Sequence, residues 1–489
     1  MSTKSRPVFM LAVFCLISLS GTLWVGGQDD HVISTLELSP EQAFERKAGY
    51  AGRADTYILQ HMALPLSPDA QPESRVMTAR VSNAYTASLT YTTYLPLTTV
   101  TDIAPMAERR GLWITRYDWT LYSTAPSPGD VQTIVDHAAY AGFNSLFFQV
   151  RATGDSYYTP GLEPWAARLT TGPVSETLGV NPGWDPLAVM LQAAHHSGLE
   201  VHAYINVYTA WMPPPESEGG TLWPPVTSPH HMFDTFTYSP LYSAHPGTYG
   251  MGYTWRQYTY PDTPMPLAWK EYLWASPGVD EVQDYIAAVV ADIVSRYDID
   301  GVHLDLVRYA GPSYSYDPLS SAAAGGERNP ARDQWQRDRI TSLVARISTQ
   351  AHVLSPDILV SAAVWPYYVD KWGWGTSEGY SDYFQDSVGW LQSGAVDAIA
   401  PMLYGGSLED FTRWQILMTD FISVSSAGQV YPGVGVYDDF SRTAGRITAA
   451  RDAGAPGHIV FSYSGLNQHD YWDELRDGPY ALPAIIPEH

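Results

Sequence analysis

The sequence is nearly free of cysteine: Cys15 is the single one among 489 residues. The chain can therefore form no internal disulfide and no cysteine-based metal site. Basic residues are also scarce. Lys and Arg number 27 against 51 Asp and Glu, and the resulting net charge of −24 repels phosphate backbones, which argues against nucleic acid as a partner. Charged residues of both signs make up only 16% of the chain while hydrophobic ones reach 45%, a balance that excludes a mainly disordered polymer. What is abundant is aromatic: 17 Trp and 34 Tyr. Such side chains stack on the C–H faces of sugar rings, and they also fill cores and interfaces.

Lys4 and Arg6 precede an apolar stretch from Pro7 to Val25, the pattern of a signal peptide or an uncleaved N-terminal anchor over residues 1–27. Export follows, either as a secreted protein or with membrane attachment through that segment. Residues 28–108 have weak periodicity and a Thr- and Pro-rich run from Ser88, which reads as a largely irregular spacer or a small β-unit.

From Arg109 onward, short apolar runs alternate with helical periodicity, the signature of repeated βα units. Eight candidate strands begin at Gly111, Ser145, Glu200, Gly301, Ile358, Ala398, Val430 and His458. Helices lie between them, as over Asp130–Tyr140, Asp185–His196 and Asp280–Arg296, and Gly142 and Gly198 stop the first two. The fold predicted for 109–489 is an α/β protein, a (β/α)8 TIM barrel with long loop insertions after strands 3, 4 and 5; about 250 residues suffice for such a barrel. Pro401 and Pro432 fall inside the sixth and seventh strands, where each marks a strand start or a bulge.

The C-terminal ends of barrel strands carry the chemistry in this architecture. The fourth strand runs Asp300-Gly-Val-His-Leu-Asp305, with His303 and Asp305 on one face, both inward. A buried carboxyl at that end is costly unless it is paired or functional; a structural pairing with Arg308 is the plainer alternative. Polar or aromatic residues recur at the other strand ends: Arg116 and Asp118, Gln149 and Arg151, His202 and Asn206, Trp365, Tyr404, and Asp438 and Asp439. Together they describe a shared cleft.

Several motifs occur in order along residues 109–480: Arg110-Gly-Leu-Trp-Ile-Thr, Phe148-Gln-Val-Arg, Pro164-Trp165, Trp184-Asp-Pro-Leu, the run from His195 to Asn206, Ser276-Pro-Gly-Val-Asp-Glu and the fourth-strand motif. In these the chain resembles the bacterial glycosyl-hydrolase-like family 10. The resemblance implies an exported barrel enzyme that hydrolyses glycosidic bonds in a polysaccharide, with known members acting on peptidoglycan glycan strands stripped of their peptides. It puts Asp305 in the catalytic centre. Two departures stand out: Leu306 occupies the place of a second Asp, and Asn206-Val-Tyr-Thr replaces Asn-Pro-Tyr-Arg.

Glycosidic cleavage ordinarily uses two carboxyl groups about 5 to 9.5 Å apart. Asp305 is one. For the other, Asp438 is taken first among Asp438, Asp439, Asp155 and Glu378. Arg116, Gln149, Arg151, His202, Asn206, His303, Arg308, Trp365 and Tyr404 are the expected substrate-binding residues, His303 also tuning Asp305. No cofactor or metal is expected. Two competing readings are a non-catalytic glycan-binding barrel and a metal-dependent deacetylase built on His202, His303 and Asp305, although the sequence has no His-x-x-x-His pair.

Overall fold

The structure, a computed structural model, describes residues 15–17, 22–25, 34–37, 105–238, 254–424 and 428–487. The chain divides into two compact units, Met1–Ala104 and Pro105–His489. In the first, strands Cys15–Ile17, Thr22–Val25 and Ser34–Glu37 form an antiparallel sheet in that order. The rest of the expected leader and spacer, up to Ala104, lies outside the described residues. Among the described residues no helix is long and apolar enough to cross a membrane.

The second unit is the expected barrel. Its parallel strands are β1 (Arg109–Ile114), β2 (Ser145–Arg151), β3 (Glu200–Asn206), β4 (Gly301–Asp305), β5 (Leu359–Val364), β6 (Ala398–Pro401), β7 (Gln429–Val430, resumed at Gly433–Gly435) and β8 (Gly457–Phe461). Each pairs with its sequence neighbour, and β8 returns to β1 with Ile459 opposite Gly111. The two halves of β7 divide the closure between them: the first pairs with β6 and the second with β8. Pro432, which has no N–H to donate, sits at the break, while the carbonyl of Pro432 still accepts from Ile459 N (3.1 Å). Likewise β6 ends at Pro401, three residues earlier than the apolar run suggests.

Side chains alternate across the sheet. Trp113, Phe147, Tyr204, Leu359, Ala363, Ala398, Ala400, Tyr431 and Ile459 fill the barrel interior. Their neighbours Leu112, Leu146, Ala203, Val302, Val360, Ile399 and Val460 face outward onto the helices. Burial on both faces explains why the strands read as unbroken apolar runs.

The helical layer includes α1 (Pro128–Ala141), α2 (Pro186–His196), α3 (Asp280–Arg296), α4 (Pro330–Leu354), α5 (Ser387–Ser393), α6 (Phe411–Ser423), α7 (Phe440–Asp452) and α8 (Tyr463–His469). Their starts are written locally: Asp185 accepts Ala188 N at 3.1 Å with Pro186 in the first turn, and Asn329 caps α4 in the same way. Gly142 ends α1 at φ +92°, a left-handed stop that glycine adopts without strain.

Insertions follow β3, β4 and β5 as expected, and a further one follows β2 at residues 152–185. The insertion after β3 mostly packs as a small subdomain: Trp211, Trp255 and Trp274 are buried, whereas Trp223 and Trp269 stay about 40% exposed.

Candidate active site

Asp305 closes β4 at the C-terminal mouth of the barrel, 8% exposed. Two donors hold its carboxylate: Tyr204 Oη at 2.8 Å and the backbone N–H of Leu306 at 2.6 Å. The second contact depends on an unusual backbone. Leu306 has φ +50°, a left-handed conformation rare for a branched side chain, and such strain collects at functional positions. Burial pushes the Asp305 carboxyl above the ordinary carboxylate range, against the pull of Tyr204, Leu306 N–H and the nearby Arg308 charge. The site thus holds a carboxyl group biased toward its protonated form, as a general acid requires.

Around Asp305 the walls are aromatic and hydrogen-bonding. The Arg308 guanidinium lies 4.6 Å from the Tyr383 ring, 5.0 Å from Trp274 and 5.3 Å from Trp365. Tyr404 stacks on Phe461 at 4.4 Å, and its hydroxyl is near enough that Asp305 adds to the burial that raises its pKa. Arg116 donates to Gln149 Oε1 through its backbone N–H (2.9 Å) and Nη1 (3.3 Å), and its Nη2 reaches Tyr117 Oη (2.6 Å) and Tyr272 Oη (3.0 Å). Asn206 lies level with Asp305 on the adjacent strand, and its side-chain Oδ1 is buried without a hydrogen-bond partner among the described residues. These side chains from β1 to β6 are brought together.

Three expected binding residues are not at the mouth. His202 is level with Gly301, about 13 Å down the barrel from Asp305 at a strand rise of about 3.3 Å per residue. It stacks on Phe147 at 4.6 Å and bonds Glu200 (3.0 Å) and Arg109 (2.9 Å), so it belongs to the N-terminal polar layer. His303 lies one layer below Asp305, its Nδ1 2.8 Å from Ser361 Oγ and its ring edge-on to Trp113. Burial, with His202 adding to it, holds its pKa down to about 3, and it does not bond the Asp305 carboxylate. Arg151 is fully buried in a two-pronged bond to Glu163, both distances 2.8 Å, and also donates to the carbonyls of Asn206, Val207 and Thr209. It shapes the turn after β3 and has no surface to offer a ligand. His202, His303 and Asp305 therefore occupy three different levels and cannot share a metal ion; among the described residues no group of three or more His, Cys, Asp or Glu could hold one.

The second carboxyl is the other departure. Asp438 points wholly into solvent, 3.6 Å from His469, and is not among the groups that shape the Asp305 ionisation. Asp439 caps α7 through Ser441 N (2.9 Å), Asp155 accepts Thr153 N (2.8 Å), and Glu378 accepts Asp370 N (2.8 Å). Asp118 ties the loop after β1 to Ser464 N at 3.1 Å. The partners that sequence reasoning missed are Tyr204, Tyr272 and Tyr383. Tyr204 shares the inward face of β3 with His202 and Asn206 and could have been found by alternation; the others stand in insertions without periodicity.

A cavity of about 550 Å³ opens beside the mouth, lined by Tyr117, Leu121, Tyr122, Arg168, Met212 and Lys270 among others. Tyr117 joins it to Arg116. Replacing Tyr204 by Phe removes a donor that favours the Asp305 anion, so the carboxyl pKa rises further. If the acid form is the working one, activity that falls as pH rises will fall at higher pH in Tyr204→Phe. A pH–rate profile checks the direction.

Residues 108–421 match the family model described as glycosyl hydrolase-like 10. The chain is 27% identical over 367 residues to the glycosyl hydrolase DigH of Escherichia coli K12, covering 70% of this chain and 75% of that protein. It is 26% identical over 416 residues to the glycosyl hydrolase YngK of Bacillus subtilis 168, covering 78% and 73%. Its fold is similar to the PgaB (BpsB) glycoside hydrolase domain of Bordetella bronchiseptica, with a TM-score of 0.52 at 14% identity, covering 76% of this chain and 98% of that one.

Proposed function

This chain belongs to the glycosyl hydrolase-like 10 family, and from that premise we propose that it hydrolyses glycosidic bonds in a polysaccharide with Asp305 as the general acid. Family and fold together support a glycoside hydrolase-type function. The observation that carries the finer reading is the Asp305 carboxyl, buried at a strand end, raised in pKa and aligned by Tyr204 and Leu306 N–H. In its protonated form it gives its proton to the leaving glycosidic oxygen as the C–O bond breaks, and the Tyr204 and Leu306 donors then stabilise the carboxylate left behind.

None of the four candidate carboxylates supports an obvious second role, since each is solvated or committed elsewhere. An amino-sugar glycan removes the difficulty, because its 2-acetamido oxygen can attack the anomeric carbon in place of a protein carboxylate. The substrate class that fits is therefore an N-acetylated amino-sugar chain, and peptide-free peptidoglycan strands are its leading member. Their lactyl carboxylates suit the cavity beside the mouth, where Arg168 and Lys270 stand in an otherwise acidic protein. The N-terminal apolar run from Pro7 supports export to the envelope or beyond.

Incubation with a panel of purified glycans, including peptide-free peptidoglycan, followed by mass spectrometry of the products, tests the activity. Cleavage of amino-sugar chains with retained anomeric configuration and inhibition by a thiazoline analogue of N-acetylglucosamine are expected. Inverted products, or indifference to the thiazoline, would reject the acetamido step while leaving the hydrolase intact.

A further inference from the structure

The insertion after β5 holds an aromatic feature that the reaction does not use. It runs Tyr367-Tyr-Val-Asp-Lys-Trp-Gly-Trp-Gly375. Asp370 organises it, its carboxylate accepting the backbone N–H groups of Trp372 (3.3 Å), Trp374 (3.0 Å) and Gly375 (2.7 Å). Gly373 and Gly375 take φ +69° and +67°, left-handed steps that let the two indoles lie side by side. Trp372 and Trp374 stack at 4.7 Å with 19° between their planes. Arg413 lies 4.4 Å from the Trp374 ring, and Lys371 pairs with Asp420 at 2.7 Å, so the loop is pinned against α6 at two points.

Trp372 borders a cavity of about 440 Å³ whose other wall is one face of α6: Thr412, Gln415, Ile416, Thr419, Asp420 and Ser423. Those positions recur at helical spacing, and from 412 to 423 they extend about 17 Å along the helix. Hydroxyls, an amide and a carboxylate stand along that face, with Ile416 midway between them. Thr412, Gln415 and Thr419 have no side-chain hydrogen-bond partner among the described residues. An indole beside a row of hydrogen-bonding groups, three of them free, matches a sugar chain, with an apolar ring face and peripheral hydroxyls. The apolar side chains along the strip are limited to Trp372 and Ile416, a smaller apolar centre than a protein interface calls for.

We propose that Trp372 and the polar face of α6 form a second carbohydrate-binding surface, separate from the Asp305 mouth, that holds a distant part of the same polysaccharide. It rests on the glycoside hydrolase reading for its ligand class, but its test does not depend on turnover. Retention of the full chain is measured by affinity electrophoresis through gels containing glycol chitin or solubilised peptide-free peptidoglycan strands. Trp372→Ala should weaken retention about tenfold, as truncation of an anchoring aromatic does. Gln415→Ala/Thr419→Ala, both at exposed helix positions, should weaken it in the same direction with the fold undisturbed. Cleavage of short oligosaccharides should be unchanged in both.

Wild-type retention that neither variant alters would overturn the proposal, as would failure of the intact chain to be retained by either polymer. Loss of short-oligosaccharide cleavage in parallel with retention would also overturn it, since the surface would then belong to the mouth. If the chain cleaves no glycan yet loses retention in both variants, the surface stands and the hydrolase reading falls.

Discussion

Asp305→Asn should lower glycan cleavage about 10²- to 10⁴-fold, the usual contribution of a general acid, while the protein melts at the same temperature as the wild type or higher. The second half of that result is the informative one. Burial raises the Asp305 pKa, so the folded chain binds a proton there more tightly than the unfolded chain does. Between the unfolded pKa and the raised folded one, stability contributed at this position falls as pH rises. At neutral pH the wild type therefore carries an unfavourable carboxyl at the barrel mouth, and a neutral amide of the same shape relieves it. If Asp305 were a structural partner of Arg308, the variant would instead melt lower. Measuring cleavage by product mass spectrometry and melting by calorimetry on one preparation separates an acid held ready for chemistry from a carboxylate that holds the fold.

Glu163→Ala should destabilise the barrel by about 3–5 kcal/mol, because it strands a charge in the interior. Burial works against the Arg151 charge and Glu163 overrides it, raising the guanidinium pKa. Without Glu163 that balance reverses. The consequence reaches the mouth: Arg151 donates to the carbonyls of Asn206, Val207 and Thr209, and Val207 N in turn donates to the Asp305 carbonyl at 2.8 Å. Cleavage should fall with stability. Replacing both partners by methionine removes the stranded charge and should recover much of the lost stability but not the shape of the turn, so denaturant midpoints and turnover should part company. Equal midpoints for the single and double variants would contradict this account.

Strand count and order were readable from the sequence because strands covered on both faces leave dense apolar runs, and Gly or Pro punctuates them. Pro401 and Pro432 were readable as disturbances, and they are where β6 ends and β7 breaks. Asp305 was readable from its place in β4. Depth was less legible. His202, His303 and Asp305 all point inward, and alternation distinguishes inward from outward but not top from bottom. Arg151 shows a different limit: nothing near residue 151 announces that Glu163, twelve residues on, encloses its guanidinium. The Asp438 expectation rested on strand-end position alone, and a one-residue change in where β7 stops is enough to turn a carboxylate from the cleft to solvent.

The pairing of β8 with β1, together with Ala484–Ile485 alongside Met106–Ala107, sets a schedule for biosynthesis. The edge of β1 that β8 will cover remains open while some 340 further residues are added, a delay of roughly 20 to 70 s at about 5–20 residues per second. An open parallel edge is a template for mispairing. The two ends of the barrel, neighbours once folded, offer a join from which a circularly permuted chain could be cut.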